Sequence, residues 1–300
     1  MRVEPIEFTV ADTELAGFVY LPEGAGPHPC VVLCTGYGGT QDTPSLEAAA
    51  AAFATAGYVA LTFDYRNFGR SGGEPRQLVD IAGQPLDIEA AIAAARARPD
   101  VDESRIALWG TSLGGGHVVT VAAADPAIAA VVAQVPYNGF PKRVEGRSRW
   151  ATLKVLAAIL RDRWRGMLGR PPYYIPAVGA TNEVAVMTGP QAQAAVAELD
   201  SATWRNEVAP RSLLAMARYK PGEHAPNLRM PILVCVGEFD KETAASDSRQ
   251  LADLAPHGRV INYSFSHFDI YRPENRTKVL ADQIEFLDAI LRPENRPAQL

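Results

Sequence analysis

The 300-residue sequence predicts an α/β fold, a mostly parallel sheet flanked by helices, with a helical cap inserted into it. Three observations carry this reading. Runs such as CVVLCTG (30–36) are short and uniformly apolar, as strands buried on both faces must be. Such runs alternate with helical stretches, the order that right-handed crossovers in a parallel sheet require. Between 138 and 228 the alternation stops and helical patterns take over. The expected organisation is a core made of 1–137 and 229–300, with 138–228 as the cap.

In chain order, FTVADTELAGFVYLP reads as a hairpin turning at polar residues, and CVVLCTG as the next strand. An Ala-rich helix follows from about Pro44 to Ala56, then the strand YVALTFDY (58–65). DIEAAIAAARAR (87–98) is a helix stopped before Pro99, and RIALWG (105–110) a strand leading into a helix from Ser112. AAVVAQVP (129–136) is the sixth strand. Past the gap come PILVCVG (231–237), a helix from about Thr243, VINYSF (260–265) and a last helix from Pro273.

Inside the gap, RWATLKVLAAILRDRWRGMLG, PQAQAAVAELD and PRSLLAMARY carry the helical patterns. Trp150, Trp164, Tyr173, Tyr174 and Trp204 are expected to knit this cap together, with one or two left to line a pocket. Arg161, Arg163 and Arg165 are expected on a solvated helix face. RPENR, at 272–276 and 292–296, reads as a helix boundary without function, and the terminal PAQL as frayed.

With 47% hydrophobic and 21% charged residues the chain can bury a substantial core. A net charge of -5 gives no reason to expect nucleic acid or a membrane as partner. The start, MRVEPIEFTV, lacks a signal peptide's apolar core, and no run is long and apolar enough to span a bilayer. Cys30, Cys34 and Cys235 lie in or beside strand-like runs. They are expected as small buried residues in a reducing compartment, so the expected location is cytoplasmic. No Cys/His pair has ligand spacing, so no metal is expected.

The chemistry centres on Gly110-Thr111-Ser112-Leu113-Gly114. A Gly-x-Ser-x-Gly pentapeptide alone is a weak signal, and a serine before a helix is often only its cap. Here it joins a strand directly to a helix, the context of a nucleophile elbow. Glycines two residues either side let strand and helix approach, and the helix start points free N–H groups at the site.

A serine hydroxyl needs a base. Of five histidines, His28 and His257 precede strands, His117 lies on the helix after Ser112, and His224 belongs to the cap. His267, just past the last strand, is left. For the carboxylate that orients the imidazole, Asp240 lies on the loop after PILVCVG, with Glu238 and Asp269 as rivals. The oxyanion donors are assigned to the backbone N–H groups of Leu113 and of Tyr37, in the loop Thr35-Gly36-Tyr37-Gly38-Gly39. That loop lacks the spacing of a phosphate-binding glycine loop.

With the order Ser112…Asp240…His267, the chain resembles the α/β-hydrolase superfamily over essentially its whole length. Asp64, Arg66, Gly69 and Ser71 in FDYRNFGRSGG resemble that superfamily's Asp-x-Arg-x-x-Gly-x-Ser loop, where Arg66 is expected as a structural anchor. Together with HFDIY these features are similar to dienelactone-hydrolase-like and X-Pro-peptidase-like bacterial esterases. The chain departs from them in having Thr35 where many members have His, a serine where dienelactone hydrolases have cysteine, and a longer cap.

The resemblance implies hydrolysis of an ester or thioester through an acyl-enzyme on Ser112, without cofactor. The expected partner is a small acyl substrate, with a homo-oligomer also allowed. Alternatives are an acyltransferase or carbon–carbon bond hydrolase using the same residues, and a non-catalytic ligand-binding protein.

Overall fold

The computed structural model describes residues 1–141, 144 and 146–292. The chain opens with the antiparallel hairpin β1 (Arg2–Val10) and β2 (Thr13–Leu21). Then follow β3 (His28–Cys34), α1 (Pro44–Thr55), β4 (Val59–Phe63), α2 (Gly83–Arg96), β5 (Val101–Thr111), α3 (Leu113–Ala124) and β6 (Ala130–Gln134).

The segment after β6 holds α4 (Arg149–Met167), the two-residue strands β7 (Val178–Gly179) and β8 (Met187–Thr188), and three short helices. These are α5 (Pro190–Ala194), α6 (Val196–Leu199) and α7 (Ser212–Met216), followed by a 3-10 turn at Pro221–Asn227. The sheet resumes with β9 (Ile232–Gly237), α8 (Ala245–Leu254), β10 (Gly258–Tyr263) and α9 (Pro273–Leu291).

Eight strands form one sheet in the order β1-β2-β4-β3-β5-β6-β9-β10. Only β2 pairs antiparallel with its neighbours; every pairing from β4 through β10 is parallel. The central strands are fully buried, which is why their sequences are continuous apolar runs. Two apolar clusters cover the faces. Ile88, Ile92, Val118, Val119 and Leu251 of α2, α3 and α8 pack with one set of strand side chains. Leu46, Phe53, Leu280 and Leu287 of α1 and α9 pack with the other.

Boundaries shift where polar or turn-forming residues hid an element. Helix α2 starts at Gly83 because Gly-Gln-Pro occupies its first turn, where a proline needs no hydrogen-bond donor. Strand β5 starts at Val101, since His28 pairs with Val101 before an irregularity in the ladder. PQAQAAVAELD breaks at Ala195 into α5 and α6 rather than forming one helix.

All three cysteines are buried and free, and burial holds each thiol pKa up at about 12. Among the described residues no helix is long and apolar enough to cross a membrane. The PAQL end and all but Arg292 of the second RPENR lie outside the described residues.

Candidate active site

Ser112 is the hinge between β5 and α3 and adopts φ 54° and ψ −120°, a region non-glycine residues rarely occupy. Its surroundings fix it there. Its N–H donates to the Gln134 carbonyl at 2.9 Å, and its own carbonyl accepts from Tyr137 N–H at 2.8 Å and Gly116 N–H at 3.2 Å. The flanking glycines are steric necessities. A Cβ on Gly110 would stand 2.3 Å from the Gly114 carbonyl oxygen, and one on Gly114 2.3 Å from that of Thr35.

Beyond the carboxyl end of β10, His267 is buried, with Nε2 3.1 Å from Ser112 Oγ. Its Nδ1 is 2.7 Å from Oδ2 of Asp240, which follows β9. Three residues from three strand ends thus form one hydrogen-bonded chain. Burial pulls the His267 pKa down, but the Asp240 charge and hydrogen bond, helped by the Glu242 charge, outweigh it and raise the pKa above its ordinary value. Asp240 is itself held: its Oδ1 accepts from the N–H groups of Glu242 and Thr243 at 2.8 Å each, and its Oδ2 from Thr243 Oγ1 at 2.8 Å. A hydroxyl with an imidazole nitrogen at this distance can pass over its proton as it attacks an electrophile.

The rivals point elsewhere. Glu238 accepts from Ser264 Oγ, and Asp269 from Ser266 N–H and Oγ. His28 opens β3 at the opposite end of the sheet, His257 precedes β10, and His224 lies in the 3-10 turn. His117 is fully buried between Tyr219 (2.9 Å) and Gln84 (3.0 Å), and burial depresses its pKa to about 3.

The loop after β3 passes so close to Ser112 that a Cβ on Gly36 would lie 3.1 Å from Ser112 Cβ. Tyr37 and Leu113, the next residue in each segment, both border the cavity above Ser112. The Tyr37 phenol meets Ser212 Oγ at 2.9 Å. Buried Asp64 ties this loop to the one after β4: its carboxylate accepts from Gln41 N–H (2.8 Å), Gln41 Nε2 (2.9 Å) and Arg70 N–H (2.9 Å). Arg66 anchors the same loop through Asp87 at 2.6 Å.

Two cavities flank Ser112. The larger, about 310 Å³, lies beneath α4 and is walled by apolar groups including Tyr137, Phe140, Ile159, Met187, Leu213 and Met216, with Arg147 and Glu242 as its charged members. The smaller, about 60 Å³, lies on the other side, between Leu46, Trp109, Tyr271 and Leu280.

None of Trp150, Trp164, Tyr173, Tyr174 or Trp204 lines either cavity, contrary to expectation; Trp150 points into solvent, while Trp164 and Tyr173 help hold the segment together, with the Arg170 and Arg161 guanidinium groups over their rings at 5.7 and 4.1 Å. The aromatic walls of the larger cavity are Tyr37, Tyr137 and Phe140, which fall in loops with no periodic signal. Arg161 and Arg163 are solvent-exposed, and Arg165 donates to the Pro171 carbonyl at 2.7 Å.

Two further supports escaped the sequence reading. Thr243 braces Asp240, whose Oδ1 accepts from the N–H groups two and three residues on in an Asx-type turn, a local habit of aspartate that points to the residues just after it. Behind the elbow, Thr111 Oγ1 meets the Tyr271 hydroxyl at 2.7 Å and accepts from Gln134 Nε2 at 3.1 Å. Gln283 extends this buried network to Gln134 and Trp109. Its members are scattered from 109 to 283, so no local pattern marks it. Among the described residues no group of three or more His, Cys, Asp or Glu is placed to hold a metal ion.

Residues 25–266 match the model of the family described as serine aminopeptidase, S33. The quorum-quenching protein AidA of Acinetobacter baumannii is 36% identical, over 95% of this chain and 94% of that protein. The polyketide transferase ATR5 of Stachybotrys chlorohalonatus is 28% identical, over 97% and 99% respectively. The crystal structure of the α/β hydrolase GrgF from Penicillium superposes with a TM-score of 0.79 at 21% identity, covering 97% of this chain and 99% of that one.

Proposed function

Given that the chain belongs to the serine aminopeptidase S33 family and is an α/β-hydrolase enzyme, we propose that it hydrolyses an ester or thioester with an apolar acyl part. The single observation carrying this reading is the chain Ser112 Oγ, His267 Nε2 and Nδ1, Asp240 Oδ2, at 3.1 and 2.7 Å, built on a serine at φ 54°.

In this mechanism Ser112 Oγ attacks the acyl carbon while His267 Nε2 takes its proton, and Asp240 holds the ring with Nδ1–H facing the carboxylate. The N–H groups of Tyr37 and Leu113 stabilise the oxyanion. As the intermediate collapses, His267 delivers the proton to the departing oxygen or sulfur. Water then attacks the acyl-enzyme, giving its proton to the same nitrogen, and the acid leaves as Ser112 recovers its hydrogen. The apolar walls of the larger cavity support an extended hydrocarbon acyl group. The buried, unpaired cysteines support a cytoplasmic setting.

A second reading, transfer of the acyl group to an acceptor other than water, is favoured by the likeness to a polyketide transferase. A fluorophosphonate probe followed by peptide mapping tests the common step: the adduct is expected on Ser112 and absent in Ser112→Ala. An unlabelled wild type that turns over no p-nitrophenyl ester of any chain length defeats the proposal. Product analysis with added alcohol or thiol acceptors separates hydrolysis from transfer.

A further inference from the structure

The outer face of α4 is apolar along its length. Trp150, Leu153, Leu156, Leu160, Trp164 and Met167 recur every three or four residues and stand 49–75% exposed. The helix is anchored through the opposite side, by Ala151, Val155, Ala158, Ile159 and Asp162. An amphipathic helix on a protein surface ordinarily turns polar residues outward, so this stripe is a binding face rather than a random scatter of apolar groups. Its edges are cationic: Arg149, Lys154, Arg161 and Arg163 are all exposed. The one acid on the helix, Asp162, is buried and turned toward Arg211. The net charge of -5 averages over this face and conceals it.

We propose that the outer face of α4 docks on an anionic lipid bilayer surface, making the protein a peripheral membrane binder despite the acidity of the whole chain. A helix that lies in a bilayer interface combines leucine and tryptophan on one face with Lys and Arg along its borders. That is the composition here. A second copy of the chain is the rival occupant. A two-fold pair brings each patch against itself, so the cationic border of one α4 would face the same border of the other. Anionic headgroups meet both requirements at once, taking the stripe into the acyl boundary and the cations at its edges. Leu156 belongs both to the stripe and to the wall of the larger cavity, so the docked surface adjoins the roof over Ser112.

Cosedimentation of the full chain with vesicles tests this. Binding is expected to vesicles of phosphatidylcholine mixed with phosphatidylglycerol, weaker binding to phosphatidylcholine alone, and release by high salt. Lys154→Gln/Arg163→Gln should weaken binding to the mixed vesicles about 30-fold, two exposed border charges being removed. Trp150→Ser/Trp164→Ser should weaken binding at least as much. Both pairs are exposed and remote from Ser112, so hydrolysis of a short soluble ester should stay unchanged. Equal binding to both vesicle types, or to neither, overturns the proposal. So does a dimer by light scattering that the tryptophan pair converts to monomer while vesicles bind nothing.

Discussion

Replacing Asp240 by Asn removes one charge while keeping every atom position, and its effect can be worked out from the four hydrogen bonds the carboxylate accepts. Oδ1 holds two backbone N–H groups, of Glu242 and Thr243, at 2.8 Å each, while Oδ2 faces His267 Nδ1 at 2.7 Å. An amide placed there can keep its oxygen on the two N–H groups or turn it toward the imidazole. Turning it sets the NH2 against two N–H donors and leaves both buried and unpaired, at about 1–3 kcal/mol each. The unturned amide therefore wins, and its NH2 faces Nδ1. The imidazole must then carry its proton on Nε2, the nitrogen 3.1 Å from Ser112 Oγ, which can no longer accept one. A wrong tautomer of this kind lowers turnover about 10⁴-fold, equivalent to roughly 5.5 kcal/mol of barrier. The assay is kcat/KM on a short p-nitrophenyl ester beside Tm by differential scanning fluorimetry. Asn should abolish activity with little change in Tm, whereas Asp240→Ala, which strands the loop N–H groups, should lose both. Less than a tenfold loss in a well-folded Asn variant would refute the tautomer argument.

The remaining predictions rest on the same geometry. His267 has a raised pKa, so it contributes stability below its unfolded value near 6.5 that is lost as pH rises through the folded value, while activity, needing the neutral ring, rises over that window. An NMR titration of His267 in Ser112→Ala should give a pKa above 6.5, and adding Asp240→Asn should lower it; no downward move would contradict the assigned cause. Gly114→Ala puts a Cβ 2.3 Å from the Thr35 carbonyl oxygen and 2.5 Å from that of Cys34. It should cost about 3 kcal/mol or more, and urea unfolding at wild-type denaturant midpoint would show that the elbow relaxes freely. Leu213→Trp should fill part of the cavity of about 310 Å³ and lower the ratio of long-chain to short-chain ester kcat/KM at least tenfold, a ratio that a chain-length panel reads directly.

The core was legible because its rules are local. A strand buried on both faces needs an unbroken apolar run, and Val31 to Cys34 or Ile232 to Val236 supply one. Ser112 and Asp240 could be chosen because each lies just past such a run, and His267 because it lies just past the last strand, an edge strand whose polar residues still leave an extended pattern. Helix α4 shows where local rules end: it has apolar residues on both its sides, and periodicity alone does not say that Val155 and Ile159 pack inward while Trp150 and Trp164 face water. The cavity walls were hidden for another reason. Tyr137, Phe140 and Leu213 are brought together by loops and one five-residue helix, and their meeting is a tertiary fact without a sequence period.

The knot around Asp64 changes how mutational scans of this enzyme should be interpreted. Substitution of Asp64 touches no reacting atom, yet that carboxylate grips Gln41 and steadies the strap that carries Tyr37. Damage there should register as slower turnover before it registers as unfolding. A screen scored on activity alone would mistake a remote brace for part of the catalytic apparatus.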